Sequence, residues 1–129
     1  MGMYTELFIS TQIKDYPDVA TVLKFMLTGE GTLETPPDHP LFKTDRWQWM
    51  LRMSSCYFVP RCMSLFEYDD ICKAWILISR SDFKNYHDEI IKFIDWIRPH
   101  LACSADEMIG YYRYEESREP TIIYSTESK

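Results

Sequence analysis

Glycine is scarce in this sequence, with only Gly2, Gly29, Gly31 and Gly110 among 129 residues. Gly29 and Gly31 lead into Thr32-Leu33-Glu34 and not into a helix start, which excludes a glycine-rich phosphate cradle. Paired cysteines are missing as well. Cys56, Cys62, Cys72 and Cys103 stand at irregular gaps with no Cys-x-x-Cys, so neither a zinc knuckle nor a redox dithiol is encoded. His39, His87 and His100 are the only imidazoles, and none has a second ligand-type residue at a metal spacing. The expectation is no metal, no cofactor and no catalytic residue. No run of about 20 apolar residues is present to span a bilayer, and Met1-Gly2-Met3-Tyr4-Thr5-Glu6 lacks the basic and apolar regions of an export signal. A cytosolic protein with free thiols and no membrane partner is expected. Positive charge is also in deficit: with a net charge of −6 a polyanion would meet a surface of its own sign, which argues against nucleic acid as a partner.

What the chain has is apolar residues, 46% of the total, enough for one core that buries about two thirds of the unfolded surface at this length. Residues 1–129 are therefore expected to form a single domain, with 1–3 and 126–129 frayed. Leu7, Ile9, Thr11 and Ile13 alternate as in a half-buried strand over Tyr4–Ile13. Asp15 then opens a helix in which Val19, Val22, Leu23, Met26 and Leu27 recur at helical spacing, with Gly29 as its C-terminal cap. Residues 30–45 form a long loop containing Pro36, Pro37 and Pro40, either a plain crossover or a lid. Trp47, Trp49, Leu51 and Met53 alternate as a second strand. Cys62–Tyr68 and Ile71–Arg80 flank Asp69-Asp70 as a hairpin whose run Ala74–Ile78 is expected to be central and covered on both faces. Asn85 caps the second helix, with Asp88 completing a capping box and Ile90, Ile91, Phe93, Ile94, Ile97 and Leu101 as its stripe, ended near Pro99. Met108–Glu115 and Thr121–Ser125 make a closing hairpin. The fold class is α+β, an antiparallel-rich sheet of about five to six strands with two helices packed on one face, in the order β-α-β-β-β-α-β-β.

Aromatic residues reach 16%, more than two helices on one sheet face can hide. Phe8, Tyr68, Tyr112 and Tyr114 are expected on the other face, as a partner-binding surface for a protein or for a second copy of the chain. The alternative is that the 30–45 loop folds over that face. Tyr-rich sheets also stack single-stranded nucleic acid, but Glu115, Glu116 and Glu119 crowd the same hairpin and oppose it. His39, beside Asp38 in the proline loop, is a further contact residue and the centre of a different hypothesis, a small-molecule or enzyme pocket between the 30–45 loop and the sheet. Glu67, Asp69 and Asp70 read as hairpin-turn acids and not as a cation site.

The segments Arg46-Trp47-Gln48-Trp49-Met50-Leu51-Arg52, Lys84-Asn85-Tyr86 through Phe93-Ile94-Asp95-Trp96-Ile97, and Ile109-Gly110-Tyr111-Tyr112-Arg113-Tyr114-Glu115-Glu116 resemble those of small uncharacterised phage and prophage proteins. The resemblance covers most of the chain and contains no motif with assigned chemistry. It implies a bacterial or viral cytosolic setting in which a small acidic protein acts by binding a host protein. The leading expectation is thus a noncatalytic interaction protein that inhibits a host or defence factor, with a homodimer as a further form.

Overall fold

The computed structural model describes residues 4–29, 35–53, 62–85 and 88–126. The alternation of Leu7, Ile9 and Ile13 with polar neighbours becomes strand β1, Thr5–Lys14. Pro17, whose fixed φ suits a first helical turn, begins α1, Pro17–Thr28, with Asp18 at the positive end of the helix dipole. The expected start at Asp15 thus moves two residues on, and the Asp15 carboxylate accepts the Tyr68 hydroxyl instead. Gly29 stops the helix in the left-handed region, φ 75°, and donates its N–H to Phe25 O at 2.8 Å.

Strands β2, Met63–Asp69, and β3, Ala74–Phe83, form the central hairpin. Asp69 closes it by accepting the backbone N–H groups of Cys72 and Ile71, which hold its carboxyl below the usual range, while Lys73 turns the chain at φ 56°. Strand β3 consequently starts later than expected, and Ile71 is 93% exposed in the turn. In α2, Glu89–Ile97, Asn85 does serve as a cap: its Oδ1 accepts the Ile90 N–H at 3.2 Å. Asp88 makes no side-chain cap, so the capping box does not form. Pro99 converts the helix end into one 3-10 turn, Arg98–His100. Strands β4, Met108–Tyr114, and β5, Thr121–Tyr124, follow.

All pairings are antiparallel, in a five-stranded sheet of order β2-β3-β1-β4-β5. The fold is α+β. Leu7, Ile9, Leu77, Phe83, Ile109 and Ile123 from the sheet share one core with Val22, Leu23 and Met26 of α1 and Ile90, Phe93, Ile94 and Ile97 of α2, so both helices lie on one face. Among the described residues no helix is long and apolar enough to cross a membrane.

Several expected features are corrected. Residues 45–52 are not a strand but a run of turns, in which Trp49 N–H bonds Arg46 O and Arg52 N–H bonds Trp49 O. The buried set is Trp47, Met50 and Leu51, not the alternate residues. An apolar-rich run satisfies two periods at once, and here the helical one prevails. Among the described residues the order is therefore β-α-β-β-α-β-β. Ala74–Ile78 is interior to the sheet, but Ile78 is 38% exposed, and among the described residues no helix packs on the face that carries it. Within the expected 30–45 loop, Pro40–Lys43 forms a 3-10 turn that sends Leu41 and Phe42 into the core. Thr126 is anchored to Asp106, while 1–3, 127–129, Cys56 and His87 lie outside the described residues.

Candidate functional site

Successive strand side chains point to opposite faces, so the core-facing residues of β1 leave Glu6, Phe8, Ser10 and Gln12 on the other side. The register carries this parity across the sheet. Phe8 stands opposite Arg80 and Tyr111, Ser10 opposite Ile78, and Met63 and Leu65 of β2 fall beside Arg80 and Ile78. None of these apolar side chains joins the core. Met63 is 59% exposed and Leu65 and Ile78 are each 38% exposed, while the Phe8 and Tyr111 rings stack with centroids 5.5 Å apart. Four strands thus contribute apolar side chains to an open band on this face, with Arg80 between Met63 and Phe8 in the register. Both helices and the 3-10 turn of the proline loop pack on the opposite face, so among the described residues no helix covers the band. The alternative in which the loop folds over this face does not occur in its described part.

Charges close one end of the band. Arg80 Nη2 donates to Glu6 at 2.6 Å and Nη1 to Asp82 at 3.0 Å, and Arg113 Nε lies 3.4 Å from the other Glu6 oxygen. Burial works against the Arg80 charge, but the bonds to Asp82 and Glu6 outweigh it and hold the guanidinium pKa above its ordinary value. Burial, reinforced by Glu6, raises the Tyr111 hydroxyl as well, so it remains a neutral donor. Among the described residues, Arg80 and Arg113 here meet the carboxylates of Glu6 and Asp82.

Of the expected contact residues, Phe8 alone lies on the open face. Tyr112 is opposite Leu7 and Tyr114 opposite Thr5, both on the helix-covered side. Tyr68 is opposite Trp75 on that same side and bonds Asp15 at 3.2 Å. The surface expected from Phe8, Tyr68, Tyr112 and Tyr114 together is therefore not assembled. The cause in β4 is a bulge between Met108 and Gly110: the additional residue, Ile109, is buried, and the parity beyond it reverses, turning Tyr112 inward and Tyr111 outward. Gly110 permits this because a Cβ there would overlap the Phe8 carbonyl. A lone glycine inside a strand pattern was the available signal.

Comparison with protein-family models, curated proteins and solved structures gives no match in any of the three.

His39 lies away from the open face. Its Nδ1 accepts the Leu41 N–H at 3.1 Å, so in the neutral ring Nε2 carries the proton and donates to Asp95 Oδ2 at 2.8 Å. Both nitrogens are engaged, and the ring ties the proline segment to α2 and does not offer a free base. Beside it a groove of about 420 Å³ runs between Pro40, α2 and the β4–β5 edge, and Tyr112 lines it too. His39 and Tyr112 thus line one groove. Trp47 and Trp49 do not contribute: Trp47 packs between Phe25 and Phe42, and Trp49 is exposed elsewhere. A second hollow of about 480 Å³ lies between α1, residues 35–37 and the end of α2, lined by Trp96 and His100. Burial, with Lys14 adding to it, lowers the His100 pKa. Cys62, Cys72 and Cys103 are free thiols. Among the described residues no group of three or more His, Cys, Asp or Glu could hold a metal ion.

Proposed function

We propose that this chain is a noncatalytic protein-binding protein that docks its partner on the open face of the sheet, in the manner of a phage-encoded protein acting on a host or defence factor. The observation that carries this reading is the Phe8–Tyr111 stack on an open face whose apolar side chains belong to no core. Aromatic rings that share a sheet face with exposed Leu65, Ile78 and Met63 have the composition of an interface, where apolar burial supplies most of the association energy. The neighbouring Arg80 and Arg113 are each paired with a carboxylate, so covering them does not bury an unpaired cation.

Photo-crosslinking tests the face directly. A benzophenone side chain placed at Leu65 or Ile78 is expected to capture one and the same partner in the native host, and Phe8→Asp is expected to abolish that adduct. The same group at Ile71, exposed in the turn, should capture nothing. Equal capture from Ile71, or no adduct from either band position, removes the reading. An adduct of twice the chain mass identifies the partner as a second copy, which sedimentation would show as a homodimer.

A further inference from the structure

Strand β5 forms one edge of the sheet, and its free side borders the groove that contains His39 and Tyr112. Tyr124 turns its carbonyl away from β4 to accept Arg98 Nε at 3.2 Å, whereas Ser125 turns its N–H inward to Glu107 O at 2.7 Å. Strand alternation then places the N–H and C=O of Ile122, two residues before Tyr124, on the outer edge. The facing wall is α2, where Ile91 is 50% exposed, Ile94 lines the floor, and Lys92 and Arg98 supply positive charge. Arg98 spends one N–H on Tyr124, and no carboxylate among the described residues pairs with it. Asp95, one turn back on the helix, is bonded to His39. In a chain with 20 acidic and 14 basic residues, a guanidinium at the end of an apolar groove without an acid is a complement for an acid on a ligand.

We propose that this groove takes an extended acidic peptide segment of another protein, added as a strand along β5. Its backbone bonds Ile122, one side chain packs on Ile91 and Ile94, and an Asp or Glu two residues away meets Arg98. The spacing follows because residues two apart on a strand share a face, and Ile122 and Tyr124 are two apart. The edge is short, so side-chain recognition supplements few backbone bonds and sets specificity. A second copy is the poorer occupant: antiparallel pairing centred on Ile122 would set Pro120, which has no N–H, against Tyr124. The groove lies on the helix-covered side of the sheet, while the Ile122 side chain, opposite Tyr111, points to the open face.

The test is selection of the full chain against displayed random nonapeptides held between neutral linkers. Enriched sequences are expected to carry Asp or Glu two residues from a β-branched or aromatic residue. A synthetic peptide of that consensus should shift the amide resonances of Ile122 and Arg98, and should bind Arg98→Ala about tenfold or more weakly. Arg98→Glu should prefer the same peptide with lysine in place of the acid. N-methylation of alternate peptide amides should abolish binding, an outcome that alters only the ligand and so stands whether or not the variants fold. The proposal is overturned if no sequence is enriched. A consensus indifferent to Arg98 and to N-methylation overturns it too, as does sedimentation showing a dimer through β5 that the peptide displaces.

Discussion

Replacing Arg80 by methionine keeps a long side chain and removes the cation that two buried carboxylates share. The side chains of Arg80, Asp82 and Glu6 are 6%, 0% and 7% exposed, so solvent screens their interaction little. The cost therefore falls in the range for breaking a buried pair, about 3 to 5 kcal/mol. An exposed pair such as Lys43 with Asp38, 4.0 Å apart, contributes about 0 to 1 kcal/mol. Against a total stability of about 5 to 15 kcal/mol, Arg80→Met should lower the melting temperature by on the order of 10 °C or more. Glu6 keeps Arg113 at 3.4 Å after the change, and at 0% against 7% exposure Asp82 is the more deeply buried of the two carboxylates. Adding Asp82→Asn to Arg80→Met should therefore recover more stability than adding Glu6→Gln. Urea midpoints measured at low and high salt, with the slope checked for constancy, give these differences. Raising the salt should change the wild-type midpoint little, because buried charges are poorly screened. A loss for Arg80→Met below about 1 kcal/mol, or equal recovery by the two second-site changes, would refute the reasoning.

Gly110→Ala is expected to cost about 2 to 3 kcal/mol or to prevent folding, because its Cβ overlaps the Phe8 carbonyl where β1 meets β4; thermal melts and the amide spectrum of β4 check this. Asn85→Ala removes the acceptor of the Ile90 N–H and should lower stability by about 1 kcal/mol, read from the denaturation midpoint. His100 gives a pH dependence of defined sign. Its folded pKa is lowered by burial and by Lys14, so the unfolded chain takes up the proton first, and stability falls as pH drops below about 6.5 towards the lower folded value. His100→Gln should flatten that slope in midpoints measured across this window, and an unchanged slope would assign it to other groups.

Local patterns foretold much of this molecule. Alternation in Thr5–Lys14, helical spacing in Val19–Leu27 and Ile90–Ile97, and the Gly29 cap are properties of short segments, so one segment suffices to read them. Asn85 was legible as a cap for the same reason, although it acts from farther upstream than a standard box. Trp47–Met53 was not, because a run apolar at almost every position fits a strand and a chain of turns equally well.

The direction each strand face points is a relation between segments. Phe8 belongs to the open band because its neighbours across the ladder are Arg80 and Tyr111, and Tyr111 is there only because Ile109 takes an additional place in β4. The Glu6–Arg80–Asp82–Arg113 network likewise joins residues remote in the chain that meet through strand register. Composition and periodicity by themselves determined an α+β chain with more aromatic residues than its helices could cover. Tertiary pairing alone decided which rings were left uncovered, because a one-residue shift in register exchanges the two faces of a strand without altering its sequence.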